Sequence, residues 1–415
     1  MQVQIEKLAF GGSGIGRAEG KIVFVRGGIP GEILGVKITK EKGRYDEAEI
    51  EEILSPSPER TLPSCPVFGM CGGCQWQHIT YTSQLKYKEE ILGETLERIG
   101  GLKGVEIEPI VPSSREYGYR NRVTLSTWIH RGDHRIGYHE EKSRKRIAIE
   151  GCPISSKPID RAIFRLAKSL KTAPRYPLKK IHIASKEGTA YIGIMPIRKN
   201  SPKRLNSIHN HLGKFAEEDV LIFEDEEFEF NLLGLRFYST PSVFIQANKE
   251  INEILVQTVH EWANLRGHER VLDLYCGIGN FSLYIAKSAK EVVRVDVNAR
   301  SVGLANKSAK ANSITNVVFD ASPSKTFVEE AVRRGDKFDL IILDPPREGS
   351  KEALKGISKL SPERIIYVSC DPTTLVRDLK TLIELGYRIL KIRPFDMFPQ
   401  TYHIESVALV SRFTI

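Results

Sequence analysis

The sequence contains no apolar run of about 18 residues or more, which excludes a membrane-spanning helix. Its first residues, MQVQIEKLAFGG, lack the basic-then-apolar layout of a secretory leader, so a cytoplasmic protein is expected. Internal repeats and low-complexity tracts are also missing. Cysteine is scarce: six in 415 residues is too few, in too long a chain, for the disulfide framework of a small secreted domain. Apolar residues are not lacking. At 41% of the chain they can fill proper cores, and 415 residues suggest two or three domains.

The net charge of +9 points toward an anionic partner, and its location matters more than its size. Residues 157–204 carry 13 basic residues against 2 acidic ones, whereas residues 1–57 carry 8 against 9. A solvated surface is the bland reading of that excess. A local patch is more naturally a phosphate-binding face. The acidic run EEDVLIFEDEEFE at 217–229 then marks a segment facing away from any nucleic acid.

Three cysteines cluster in SCPVFGMCGGCQWQH as Cys65, Cys71 and Cys74, and Cys152 follows 78 residues later in EGCPIS. Glycines between Cys71 and Cys74 let the backbone wrap closely enough for several thiolates to converge. Four such cysteines suit a zinc site or a [4Fe–4S] cluster. One tight pair, one looser cysteine and one remote cysteine favour iron–sulfur over the paired knuckles of a zinc ribbon.

Residues 1–57 alternate apolar and polar with frequent glycine (VQIEKL, KIVFVRG, GEILGVKI, DEAEIEEIL), which predicts about five strands ending at the Ser55–Pro58 linker. GGSGIGR, Gly11 to Arg17, is not a dinucleotide loop, because a strand and not a helix follows it; its glycines read as turn residues. Residues 58–240 form a central α+β unit, with a helix over Ile79–Ile99 on a Leu85, Leu92, Leu96, Ile99 stripe and another around 158–170. From 241 to 415, apolar strands alternate with amphipathic helices, the pattern of a doubly wound, Rossmann-like α/β sheet.

In that last unit, RVLDL runs into Tyr275-Cys276-Gly277-Ile278-Gly279-Asn280-Phe281 and then a predicted helix, SLYIAKSAK. Ser282 stands where a dinucleotide fold wants its third glycine. The next strand ends in Asp296, 19 residues beyond Gly277, where an acid can accept ribose hydroxyls. FDLIILDPPR puts Asp344-Pro345-Pro346 at a strand's carboxyl end, lining the ligand crevice of an open α/β sheet. Hydride chemistry has no use for that motif, whereas methyl transfer from S-adenosylmethionine does. Cys370 in RIIYVSCDP ends a further strand in the same crevice, and His403 and Glu405 precede the last one. A thiol, a carboxylate and a methyl donor together suggest C5 methylation of uracil. Cys370 would add at C6 to make C5 nucleophilic, and Glu405 would remove the C5 proton before elimination. A free thiol titrates near ~8.5, and the sequence does not show what lowers Cys370.

These motifs together resemble the RNA uracil-C5 (5-methyluridine) methyltransferase family over essentially the whole chain. FGGSGIGR, GKIVFV and GGIPGE look like an RNA-binding, OB-like TRAM barrel over 1–57. CPVFGMCGGCQWQH with GCPIS is similar to the family's [4Fe–4S] motif. FIQAN, LDLYCGIGNFSL, DPPREG and VSCDPTTLVRDL follow the family's motifs nearly letter by letter. The resemblance implies cofactor contacts from Gln246, Tyr275, Asn280, Asp296 and Asp344, with Asp320 near the adenine edge. It implies Cys370 as nucleophile, Glu405 as base, and packing of the 79–100 helix on the catalytic unit. Two departures stand out: Asp296 replaces a usual glutamate, and SCDP replaces SCNP, which sets a second carboxylate beside the thiol and disfavours the thiolate. The expected protein is a monomer acting on RNA, first on uridine 54 of the tRNA T-loop, alternatively on 23S rRNA. An amino-group methyltransferase would carry an aromatic where Arg347 stands. A non-catalytic iron–sulfur RNA-binding protein would not need Cys370 and Glu405.

Overall fold

A computed structural model of the chain describes residues 1–173, 178–196, 210–213, 220–223 and 226–413. Arg175 and residues 197–204 of the basic segment, and parts of the acidic run (217–219 and 224–225), lie outside the described residues. Among the described residues no helix is long and apolar enough to cross a membrane.

Strands β1 (Gln2–Leu8), β2 (Gly14–Ala18), β3 (Lys21–Arg26), β4 (Ile33–Glu41) and β5 (Tyr45–Ser55) close into a barrel in the order β1-β2-β3-β5-β4. Alternation places Val3, Ile5, Val23, Val25, Leu34 and Val36 in its core. Gly14 and Gly16 are strand residues here, not turn residues. A Cβ on Gly16 would strike the Gln4 carbonyl oxygen at 2.2 Å, so glycine permits β2 to lie close against β1.

The helix predicted over Ile79–Ile99 runs as an α-helix over Tyr81–Glu94 and continues as a π-turn, Thr95–Ile99. Leu92 and Leu96 enter the same hydrophobic core as the catalytic sheet. The central sheet has the order β11-β10-β9-β6-β7-β8, from β6 (Arg122–His130), β7 (Asp133–His139), β8 (Arg146–Ala148), β9 (Leu178–Lys186), β10 (Thr189–Pro196) and β11 (Val220–Phe223). The helix Lys157–Ser169 covers it with Ile159, Ile163 and Leu166. A hairpin follows, β12 (Phe228–Leu232) and β13 (Leu235–Ser239), whose Leu232 and Phe237 pack into the catalytic core.

The catalytic sheet comprises β14 (Arg270–Leu274), β15 (Glu291–Val295), β16 (Val317–Asp320), β17 (Leu340–Leu343), β18 (Arg364–Ser369), β19 (Tyr387–Phe395) and β20 (Glu405–Arg412). Their order is β16-β15-β14-β17-β18-β20-β19, with β20 antiparallel to both neighbours. All four residues of β17 are buried, as a strand covered on both faces requires. The chain leaves β14 toward one edge and returns as β17 on the other side. The crevice at the carboxyl ends of β14 and β17 is therefore the switch point where ligands bind in such sheets.

Candidate active site

Tyr275, Gly277 and Gly279 leave β14 with φ of 65°, 53° and 88°. Three left-handed residues so close together turn the chain sharply away from the sheet, and glycine takes two of those positions without steric cost. The helix beyond is shorter than expected. Only Ser282–Ile285 is α-helical, and turns carry the chain on to β15. One cavity above this loop is lined by Phe244, Gln246, Tyr275, Gly277, Asn280 and Asp344, among others. Gln246, Tyr275, Asn280 and Asp344, all expected to hold the cofactor, thus share one space. Asp296 stands beside it at the end of β15, where its Oδ2 accepts from the Gly277 N–H (2.9 Å) and its Oδ1 from the Asn298 N–H (2.7 Å). Asp320 ends β16, the next strand outward.

Several features of this pocket were not readable from the motifs. Asn280 exchanges reciprocal amide hydrogen bonds with Asn252 (2.8 and 2.9 Å), fixing its side chain from the helix Lys249–Ala263. Beneath the loop, Asp273 and Arg294 are register partners on β14 and β15, both fully buried, with the guanidinium 3.5 Å from the centre of the Phe319 ring. Phe244 is 62% exposed at the cavity's edge, an unusual position for a large aromatic.

Cys370 and Glu405 arrive from neighbouring strands. β18 and β20 pair with Ser369 opposite Ser406, so Cys370 and Glu405 are the next facing positions, one just past β18 and the other at the start of β20. Adjacent antiparallel strands lie about 5 Å apart, which sets the two backbones side by side. Burial, then the Glu405 carboxylate, pushes the Cys370 thiol up to about 12, and Arg347 opposes that shift. Burial and Asp344 hold Glu405 well above the usual carboxylate range, again opposed by Arg347. Asp344 is itself pushed up to about 7 by burial and Asp273. Asp344 lines the cofactor cavity and acts electrostatically on both Cys370 and Glu405, so the cavity and the thiol–carboxylate pair adjoin. His403 lies 3.3 Å (Nε2) from Arg347 Nη2, and burial and that cation hold it down to about 4, so its ring is neutral.

Cys65, Cys71, Cys74 and Cys152 also come together. Burial raises the first three thiols, and each is raised further by the charge of Cys152. A Cβ on Gly72 would meet the Glu141 backbone at 3.0 Å, so the CGGC turn sits flush against the strand-end that carries Glu140 and Glu141. Four soft sulfur donors are the chemistry that a thiolate-ligated centre takes. Among the described residues, no three His, Cys, Asp or Glu side chains are placed to hold a single metal ion.

Comparison with known proteins agrees with this architecture. A family model described as tRNA (Uracil-5-)-methyltransferase matches residues 218–413, and a TRAM domain model matches residues 1–50. The 23S rRNA (uracil(1939)-C(5))-methyltransferase of Shewanella amazonensis is 33% identical over 426 residues, covering 98% of this chain and 94% of that protein. An uncharacterized RNA methyltransferase of Halalkalibacterium halodurans is 32% identical over 441 residues, covering 99% and 96%. Among solved structures, the Pyrococcus abyssi tRNA (uracil-54, C5)-methyltransferase in complex with S-adenosyl-L-homocysteine superposes with a TM-score of 0.73. It is 26% identical and covers 99% of this chain and 100% of that one.

Proposed function

The chain belongs to the RNA uracil-C5 methyltransferase family, and from that premise we propose that it uses S-adenosylmethionine to form 5-methyluridine at uridine 54 of the tRNA T-loop. Cys370 is the nucleophile and Glu405 the base in this reading. The observation that carries it is the facing placement of these two residues beside a cavity that shares Asp344 with them.

S-adenosylmethionine supplies an electrophilic methyl group. Gln246, Tyr275, Asn280 and Asp344 line the space that would hold it; Asp296, next to that space, would accept from the ribose hydroxyls, and Asp320, at the end of the next strand, would face the adenine. Cys370, once its thiol has given its proton to solvent, adds through Sγ to uracil C6, and the electron pair of the C5–C6 double bond moves toward C5 and O4. C5 would then take the methyl group as its bond to the donor's sulfonium sulfur breaks, releasing S-adenosylhomocysteine. Glu405 removes the C5 proton, the C5–C6 double bond re-forms, and the C6–S bond breaks to free the Cys370 thiolate, which regains its proton from solvent. A carboxylate made more basic by burial suits the removal of a proton from carbon. Arg347 is the cation that limits how far burial raises both groups.

The four gathered cysteines would ligate a [4Fe–4S] cluster, tying the 65–74 segment to Cys152 at the foot of the helix Lys157–Ser169. Supporting this are the all-thiol donor set and the charge of Cys152, which raises each of the other three thiols. Anaerobically purified protein should carry iron and acid-labile sulfide with broad visible absorbance; colourless, zinc-bearing protein would overturn it. The 23S rRNA uridine is a second reading, favoured by the Shewanella enzyme's 33% identity over nearly the whole chain. Methylation of unmodified tRNA and 23S fragments, mapped by mass spectrometry, separates the two readings. 5-methyluridine at position 54 of tRNA is the expected product, and labelling of the rRNA fragment alone would replace tRNA as substrate.

A further inference from the structure

The loop between β19 and β20 closes on the pair Phe395 and Glu405, so Glu405 is the first residue after it. That loop is held from outside the catalytic sheet. Its Gln400 is buried and has φ of 68°, a left-handed conformation that residues with a Cβ rarely adopt and that persists only when surroundings impose it.

The imposing groups come from the segment that follows the cysteine cluster. The Gln400 N–H donates to Gln84 Oε1 (2.9 Å), and Gln84 Nε2 donates back to Gln400 Oε1 (3.0 Å). The N–H groups of Gln75 and Trp76 both donate to the Gln400 carbonyl oxygen (3.1 and 3.0 Å). Gln84 is itself fixed by donating to the Trp76 and Ile79 carbonyls (3.1 and 2.9 Å). Two further anchors hold the same loop: Lys88 Nζ on Asp396 Oδ1 (2.5 Å), both fully buried, and the Tyr119 hydroxyl on the Pro399 carbonyl (3.0 Å). Between Gln400 and Glu405 the chain is tightly wound. Thr401 Oγ1 donates to the Phe398 carbonyl (2.8 Å) and accepts from the His403 N–H (3.2 Å). A shift at Gln400 has little slack in which to dissipate before it reaches Glu405.

We propose that Gln84 is a positioning residue for proton removal: by locking Gln400, it sets where Glu405 stands. The inference rests on the reading of Glu405 as the base. It predicts a defect confined to one step. Gln84 touches neither the cofactor cavity nor Cys370. Its loss should spare nucleophilic addition and methyl transfer and slow only the elimination that Glu405 drives.

The test compares wild type with Gln84→Met, which keeps the length of the side chain and removes its hydrogen bonds, and with the milder Gln84→Asn, which keeps an amide donor and acceptor on a shorter stem. Single-turnover methyl transfer from S-adenosylmethionine to uridine-containing RNA reports the first half of the reaction and also that the site is folded. Steady-state turnover and SDS-stable protein–RNA adduct report the second half. For Gln84→Met, methyl transfer should stay within about 3-fold of wild type, while turnover falls at least ~10-fold and adduct accumulates on ordinary uridine. Gln84→Asn should fall between the two. If transfer and turnover fall together, or neither changes, the inference is overturned. A wild-type control on 5-fluorouridine RNA keeps the failures apart: without a wild-type adduct the uracil reading itself fails, whereas an adduct alongside unaltered release in both variants sinks only the role of Gln84.

Discussion

Arg347 acts through its charge on Cys370, Glu405 and His403 alike. In the sequence it is notable only as a non-aromatic residue after Asp-Pro-Pro. Its role depends on Cys370 and Glu405 being brought to it from two other strands. With Cys370 already raised to about 12, the thiol dominates at neutral pH, and activity should rise with pH as the reactive fraction grows. Arg347 lowers that value, so Arg347→Met should raise it further and move the rising limb of kcat/KM to higher pH. About tenfold loss at pH 7 is expected, with partial recovery in alkali. Overlapping pH–rate profiles for the two proteins would remove Arg347 from this role. Cys370 and Glu405 were legible because both occupy strand ends in a sheet whose pattern was clear. The Asn252–Asn280 amide pair was not, since either residue alone reads as an ordinary polar position in a helix or turn.

At the scale of elements, the departure from SCNP to SCDP has a local explanation. Asp371 is the N-cap of the helix Pro372–Glu384, and its Oδ1 accepts from the Thr373 and Thr374 N–H groups (2.9 and 3.0 Å) and from the Thr373 hydroxyl. Asparagine and aspartate are equivalent caps, so the substitution preserves the helix start while adding a charge that raises Cys370. Asp371→Asn should therefore leave stability unchanged and give equal or higher activity at pH 7. Asp371→Ala should cost about 1 kcal/mol in denaturant unfolding. Lower activity for Asp371→Asn would mean that the carboxylate contributes more than a cap.

The helix Tyr81–Glu94 shows why periodicity reads some elements poorly. Its buried face carries Ser83, Gln84, Tyr87 and Lys88 beside Ile91 and Leu92, so an apolar stripe captures only its end. The π-turn then shifts the phase and leaves Ile99 exposed although it was expected on the stripe. Gln84 and Lys88 are buried there against partners, Gln400 and Asp396, that lie more than 300 positions away.

In the whole molecule, the barrel, the cysteine segment and the catalytic loop meet at one place. Arg60 makes a two-pronged ion pair with buried Glu32 of the barrel, Trp76 Nε1 donates to the Gly12 carbonyl (3.2 Å), and the Phe10 ring lies edge-on to Tyr402 at 5.5 Å. The barrel thus abuts the loop that leads to Glu405. The basic segment supplies exposed Lys179 and Lys180 on β9 and Lys168, whose ammonium lies 4.1 Å from the centre of the Phe164 ring. Replacing these three lysines with alanine should weaken RNA binding and reduce the salt slope by about 0.7–0.9 for each phosphate that is no longer neutralised. An unchanged affinity and slope would make this face an ordinary solvated surface. The most direct test of the central claim, covalent catalysis by Cys370 on uracil, is incubation with S-adenosylmethionine and RNA carrying 5-fluorouridine at the target position. Fluorine cannot leave C5 as a proton does, so the enzyme should stall as a methylated, SDS-stable adduct that maps by mass spectrometry to Cys370 and is absent from Cys370→Ala. No adduct in the wild type, or one that persists in Cys370→Ala, would contradict it.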